Sequence, residues 1–126
     1  MIQQLAGAGM ANKEAVKLLQ QQNVEAFNKW VKQRRKQGKK AVDLDDQNLS
    51  GLKLRWVDLK DAHLNGCNLR NSDLKGANLK RARLRQADLR GVNLKGANLT
   101  EADLRRAKLK GVQLDQAITK QTKGLD

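Results

Sequence analysis

Leucine stands at every fifth position from Leu44 to Leu114, fifteen times in strict phase. Neither common element accommodates that spacing. In an α-helix, leucines five apart turn through about 140° each and scatter around the axis. In a straight strand they alternate between faces, because the side-chain period there is two. The spacing is met if the chain turns a corner every five residues and each leucine points inward. Four corners close a square coil, so residues twenty apart in sequence stack at about 4.7–4.9 Å.

The other phases of the repeat agree with that path. Two residues before the leucines from Leu59 onward sit Val57, Ala62, Cys67, Ser72, Ala77, Ala82, Ala87, Val92, Ala97, Ala102, Ala107 and Val112. Leucines that fill the centre leave room for side chains of that size and little more. Val42, Gln47 and Leu52 continue the series less regularly toward the start. Gly51, Gly66, Gly76, Gly91, Gly96 and Gly111 all fall two residues after a leucine, the phase of a corner. The chain has no proline, as expected where backbone N–H groups are needed to join coils. Aromatic residues are limited to Phe27, Trp30 and Trp56, which fits a narrow, regular core.

Ala77-Asn78-Leu79, Ala87-Asp88-Leu89, Ala97-Asn98-Leu99 and Ala102-Asp103-Leu104 follow the pattern A-(D/N)-L-x-x. In this the chain resembles the pentapeptide-repeat family. The resemblance implies an all-β solenoid, a right-handed quadrilateral parallel β-helix of about four coils over residues 42–116. It also implies a bacterial member, since Phe27-Asn28-Lys29-Trp30-Val31 looks like a diverged form of a helical leader motif found in cyanobacterial members. Leu52-Lys53-Leu54 is atypical, and Ala117-Ile118-Thr119 puts threonine where leucine belongs. The regular coil is therefore expected to end near Gln116. Residues 117–126 then form a C-terminal end with a frayed tail from Lys120.

Residues 12–38 read as a helical cap. Asn12 suits an N-cap with Glu14 in the first turn, and Asn23 with Glu25 suits a second start after a break at Gln20–Gln22. Phe27, Trp30, Val31 and Arg34 recur at spacings of three and four, and Gly38 is a suitable stop. A stack of coils needs its first leucines and open backbone edge covered. Leu18, Leu19, Phe27, Trp30 and Trp56 are the candidates for that contact. Residues 1–11 read as a disordered leader in which Met10 is a candidate start. At the other end no cap is evident. Family members with an open end often pair through it, so Val112, Leu114, Ala117 and Ile118 are candidate contacts of a homodimer.

Formal net charge is +13, and both parts of the chain are basic. Residues 1–40 hold nine Lys and Arg against two Glu, and the rest hold seventeen against eleven acidic residues. A basic surface favours polyanions and anionic membrane surfaces and is opposite in sign to a mimic of DNA. The acidic gyrase-inhibiting members of the family are therefore a poor guide to function. The residues after the leucines fall in columns twenty apart, including Arg70, Arg90 and Lys110; Arg55, Lys75 and Lys95; and Arg85 with Arg105. These columns are candidate anion-binding surfaces.

Little else points to chemistry. His63 is the only histidine and lies in an outward phase. Cys67 is the only cysteine, occupies an inward slot, and excludes an intrachain disulfide. Asp43, Asp45, Asp46, Asp58 and Asp61 cluster near the first coils, where ion pairs with the basic helices are favoured over a cation site. No catalytic, cofactor or metal motif is present. The sequence thus points to a non-enzymatic protein-interaction or structural scaffold without cofactor, with nucleic acid or another polyanion as the alternative partner. No apolar run approaches the roughly 20 residues of a membrane span, and the N-terminus lacks the features of a secretory signal. A cytoplasmic location is expected.

Overall fold

The computed structural model describes residues 11–125. Two helices open it, α1 at Lys13–Gln20 and α2 at Val24–Lys36. Asn12 and Asn23 are their N-caps, each side-chain oxygen accepting an N–H three residues on, from Ala15 and Ala26, at 3.1 Å. The break between them is a reversal at Gln22, whose φ is +57°. Gly38, at φ +69°, ends α2.

The expectation of an all-β solenoid, a right-handed β-helix, does not hold. Among the described residues no run of chain is a β-strand and no sheet forms; α1 and α2 are the regular elements. From Asp43 to Lys123 the chain is joined by thirteen isolated parallel bridges, each between residues twenty apart. The reason is local. Sixteen residues, every fifth one from Asp46 to Gln121, have φ between +57° and +77°. The backbone therefore reverses before a second residue can extend a bridge, and the extended segment between corners is too short to become a strand. Six corners are glycine and ten are not.

Backbone hydrogen bonding is nonetheless dense. Leu44 N–H donates to His63 O at 2.7 Å and His63 N–H to Val42 O at 2.9 Å, and the same pair of bonds recurs down the chain. The leucines at every fifth position from Leu44 to Leu104 are at most 1% exposed, with Val57, Ala62, Cys67, Ser72 and the alanines buried between them, while the irregular Leu52 is half-buried. Ser72 meets the cost of burial by donating its hydroxyl to Leu69 O at 2.8 Å.

The bridged register also runs beyond the expected end at Gln116. Ile118 bridges Asn98, Lys123 bridges Asp103, and Thr122 Oγ1 donates to Leu99 O at 2.6 Å. The bridges are made by backbone, so they do not require a leucine at Thr119. The expected disordered leader, residues 1–11 with Met10 as a candidate start, lies outside the described residues up to residue 10.

Candidate functional surface

The outer surface is shaped by the residue before each leucine. Where it is Asp or Asn, its side chain accepts the backbone N–H two residues on. Asn68 takes Arg70 N–H at 3.1 Å, Asn93 takes Lys95 N–H at 3.0 Å and Asn98 takes Thr100 N–H at 3.0 Å. This is the physical content of the D/N in the repeat: it closes the corner locally. His63 and Arg83 occupy that phase and cannot do so. There the bond comes from the preceding coil, with Asp45 accepting Asn65 N–H at 2.8 Å and Asn65 accepting Arg85 N–H at 2.9 Å.

The candidate anion-binding residues divide into two groups. Arg90 holds Asp88 through two bonds of 2.8 and 2.6 Å, and Arg105 holds Asp103 through two of 2.9 and 2.8 Å. Arg85 joins Asp103 at 2.7 Å, while Arg55 pairs with Asp73 and Arg81 with Asp61. Arg70, Lys75, Lys95 and Lys110 make no ion pair among the described residues. The columns are therefore mosaics of both signs, with four free cations among the seven candidates.

The paired carboxylates titrate low. Hydrogen bonds from the Arg90 guanidinium draw Asp88 down to about 2, and Arg105 with Arg85 holds Asp103 well below the usual carboxylate range. A depressed carboxylate stabilises the fold above its unfolded pKa, and that contribution is lost as pH falls through the folded value. The melting temperature is expected to hold down to about pH 4 and to fall between about pH 4 and pH 2. Asp88→Asn should flatten the descent, and a profile unchanged by that substitution would show the pair to be idle.

The family model described as pentapeptide repeats (8 copies) matches residues 41–76, 53–91 and 82–118. The chain belongs to the pentapeptide-repeat family. Its solved relatives include a pentapeptide-repeat protein from Nostoc PCC 7120, 39% identical over 60% of this chain and 62% of that one, with a TM-score of 0.44. A pentapeptide-repeat protein from the Arabidopsis thaliana thylakoid lumen is 29% identical over 60% of this chain and 59% of that one, with a TM-score of 0.37. HetL, involved in heterocyst differentiation regulation in Nostoc, is 31% identical over 64% of this chain and 48% of that one, with a TM-score of 0.35. The chain thus spans less than two thirds of the length of each of these relatives. No curated protein matches it.

In this pentapeptide-repeat protein the N-terminal helices precede the repeats and lie against the first coil. Leu19 and Phe27 are fully buried in a cluster continuous with the leucines, together with Ala15 and Val31. Leu18 and Trp30 are half-buried; the Trp30 ring lies 5.8 Å from Phe27 and 5.0 Å from the Arg34 guanidinium carbon. Trp56 is not part of this apolar contact. It is 65% exposed, and its carbonyl accepts Asn28 Nδ2 at 3.1 Å. Its corner position turns the indole outward.

Sequence reasoning sought apolar cap residues and missed the polar ones. The first coil has no predecessor to satisfy its backbone. Asn12 N–H donates to Asp43 O at 2.8 Å, Gln22 Oε1 accepts Lys53 N–H at 2.7 Å, and Asn28 Oδ1 accepts Asp58 N–H at 2.8 Å. Each stands where a further coil would have bonded. The available signal was Asn28 inside the leader motif. Arg35 adds two bonds to Asp58, at 2.6 and 2.9 Å.

At the C-terminal end Val112, Leu114 and Ala117 are half-buried and Ile118 is 50% exposed. His63 lies in the bridged stack between Asp43 and Arg83, and no group of three His, Cys, Asp or Glu among the described residues could hold a metal ion. Cys67 donates its thiol to Leu44 O at 2.8 Å, and burial pushes its pKa up to about 12. The folded protein should therefore resist alkylation at pH 8, becoming reactive in denaturant; rapid labelling of the native chain would show the core to open. No helix among the described residues is long and apolar enough to cross a membrane.

Proposed function

We propose that the protein is a non-enzymatic interaction scaffold whose rigid outer faces dock other proteins. The supporting observation is the interlocking of its arginines. Arg85, Arg90 and Arg105 are engaged by aspartates of the same or the following coil. Side chains held this way offer a patterned surface of both signs rather than a uniform cationic sleeve. A protein partner reads such a pattern, whereas a polyanion must displace the aspartates.

Fluorescence anisotropy of labelled duplex DNA and RNA, titrated from low to physiological salt, tests the choice. Weak binding that disappears as salt is raised is expected. Micromolar or tighter binding retained near 0.15 M salt, with a slope of several counterions, would overturn the scaffold reading in favour of polyanion binding through Arg70, Lys75, Lys95 and Lys110.

The open C-terminal end supports a second part of this reading, a homodimer joined through Val112, Leu114, Ala117 and Ile118. Light scattering should give a mass that rises toward twice 14.1 kDa with concentration. Ile118→Glu should hold it at one chain, while a mass of one chain at all concentrations would exclude the pairing.

A further inference from the structure

We propose that the corner built on Trp56 is the docking point for an acidic segment of a partner protein. One large apolar side chain of that segment covers the indole, and its carboxylates meet Lys75 and Lys95. The proposal rests on the scaffold reading and names the chemistry of one partner.

Trp56 is placed where the fold gives no reason for it. It is 65% exposed, and its φ of +66° is a left-handed conformation that L-residues disfavour. The other nine non-glycine corners are all polar or charged: they carry Asp, Asn, Gln, Glu or Arg. Glycine at residue 56 would relieve the backbone and remove the exposed apolar surface together. A bulky residue held against both costs at a surface is a mark of use.

The indole is also held in place. It lies on Gly76, the corner of the next coil, where an added Cβ would overlap Cε3 and Cζ3 of the ring. The backbone is fixed on both sides, with Trp56 N–H donating to Lys75 O and Gly76 N–H donating to Lys95 O, each at 2.9 Å. One ring face is thus seated and the other is presented to solvent. A plate ordered before binding loses little entropy on being covered, and tryptophan is among the residues that carry most interface energy.

The surroundings favour a protein. Gly76 and Gly96 succeed Trp56 in the same corner column and leave a groove of about 540 Å³, flanked by Lys75 and Lys95 and ended by Asp115. Neither lysine makes an ion pair among the described residues, so both are available to carboxylates. A nucleic-acid strand would want a series of aromatic platforms and a continuous basic track. Here there is one platform, and the track ends in the Asp115 carboxylate.

The test is selection of a random displayed-peptide library on the full chain, on Trp56→Gly, and on the double variant Lys75→Glu with Lys95→Glu. Trp56→Gly is a fair control because glycine suits that corner and nothing buried is lost. The peptides recovered on the native chain should be acidic with one aromatic or large aliphatic residue. They should bind either variant at least about tenfold more weakly. In a Trp30→Phe background they should change the Trp56 emission on titration. Recovery of no peptide that depends on Trp56, or of basic peptides, overturns the proposal. So does a short oligothymidylate that quenches Trp56 equally well at physiological salt. Peptides that bind the chain but ignore Trp56 would sink this site while leaving the scaffold standing. Tight duplex binding in the salt titration would remove the scaffold itself.

Discussion

Phe27→Ala is expected to lower the stability of the protein by about 3–5 kcal/mol, the usual cost of removing a fully buried aromatic ring. Phe27 is 0% exposed and belongs to one buried cluster that runs from Ala15 in α1 to Leu104. Its ring is therefore the joint between the helices and the leucine core. The loss should not be spread evenly. In a stack where each coil contacts only its neighbours, a weakened end frays first. Hydrogen exchange should quicken at the amides of residues 43–60 while those near Leu94 keep their protection. Urea denaturation gives the magnitude. A loss below about 1 kcal/mol would mean that the helices merely rest on the coil and that polar contacts hold the cap.

Those polar contacts mark the boundary of what the sequence disclosed. The leucine period was legible because the core repeats identically: every inward position faces the same requirement, so one rule is written fifteen times. The corners were legible through six glycines alone; that Trp56, Arg81 or Gln86 would take the same positive φ is set by the coil, against residue preference. The secondary-structure class was misread for a related reason. Periodicity reports which side chains face inward, not how many consecutive residues bond across to the next turn, and here the number is one.

The candidate surface was harder still. Arg90 in one column and Arg85 with Arg105 in another look free in sequence because the carboxylates that engage them occupy a different phase, at Asp88 and Asp103. The spacing of two between Asp88 and Arg90 hides a contact made across a single corner. The cap role of Gln22 left no trace in the sequence and that of Asn28 only its place in the leader motif, because their partners lie 31 and 30 residues away. They are defined only by what the first coil lacks.

Leu74→Ala, in the middle of the stack, should cost about 2–5 kcal/mol, toward the upper end. Leu74 is 0% exposed, and Leu54 and Leu94 occupy the same register position in the adjacent coils. Collapse around the deleted side chain is restricted because the backbone there is fixed in both directions, with Leu74 N–H donating to Asn93 O at 2.8 Å and Leu54 N–H donating to Asp73 O at 2.8 Å. A cavity that cannot close retains its full penalty. Leu114 provides the comparison, since it occupies the same column two coils later and is only half-buried. Leu114→Ala should cost about 1 kcal/mol in a monomer, the scale of a partly exposed apolar deletion. If copies pair through that end, its cost should grow with protein concentration, because the side chain is then buried by the partner. Equal costs at Leu74 and Leu114 at low concentration would mean that the last coil is as well packed as the centre, and would remove the open end on which the dimer depends.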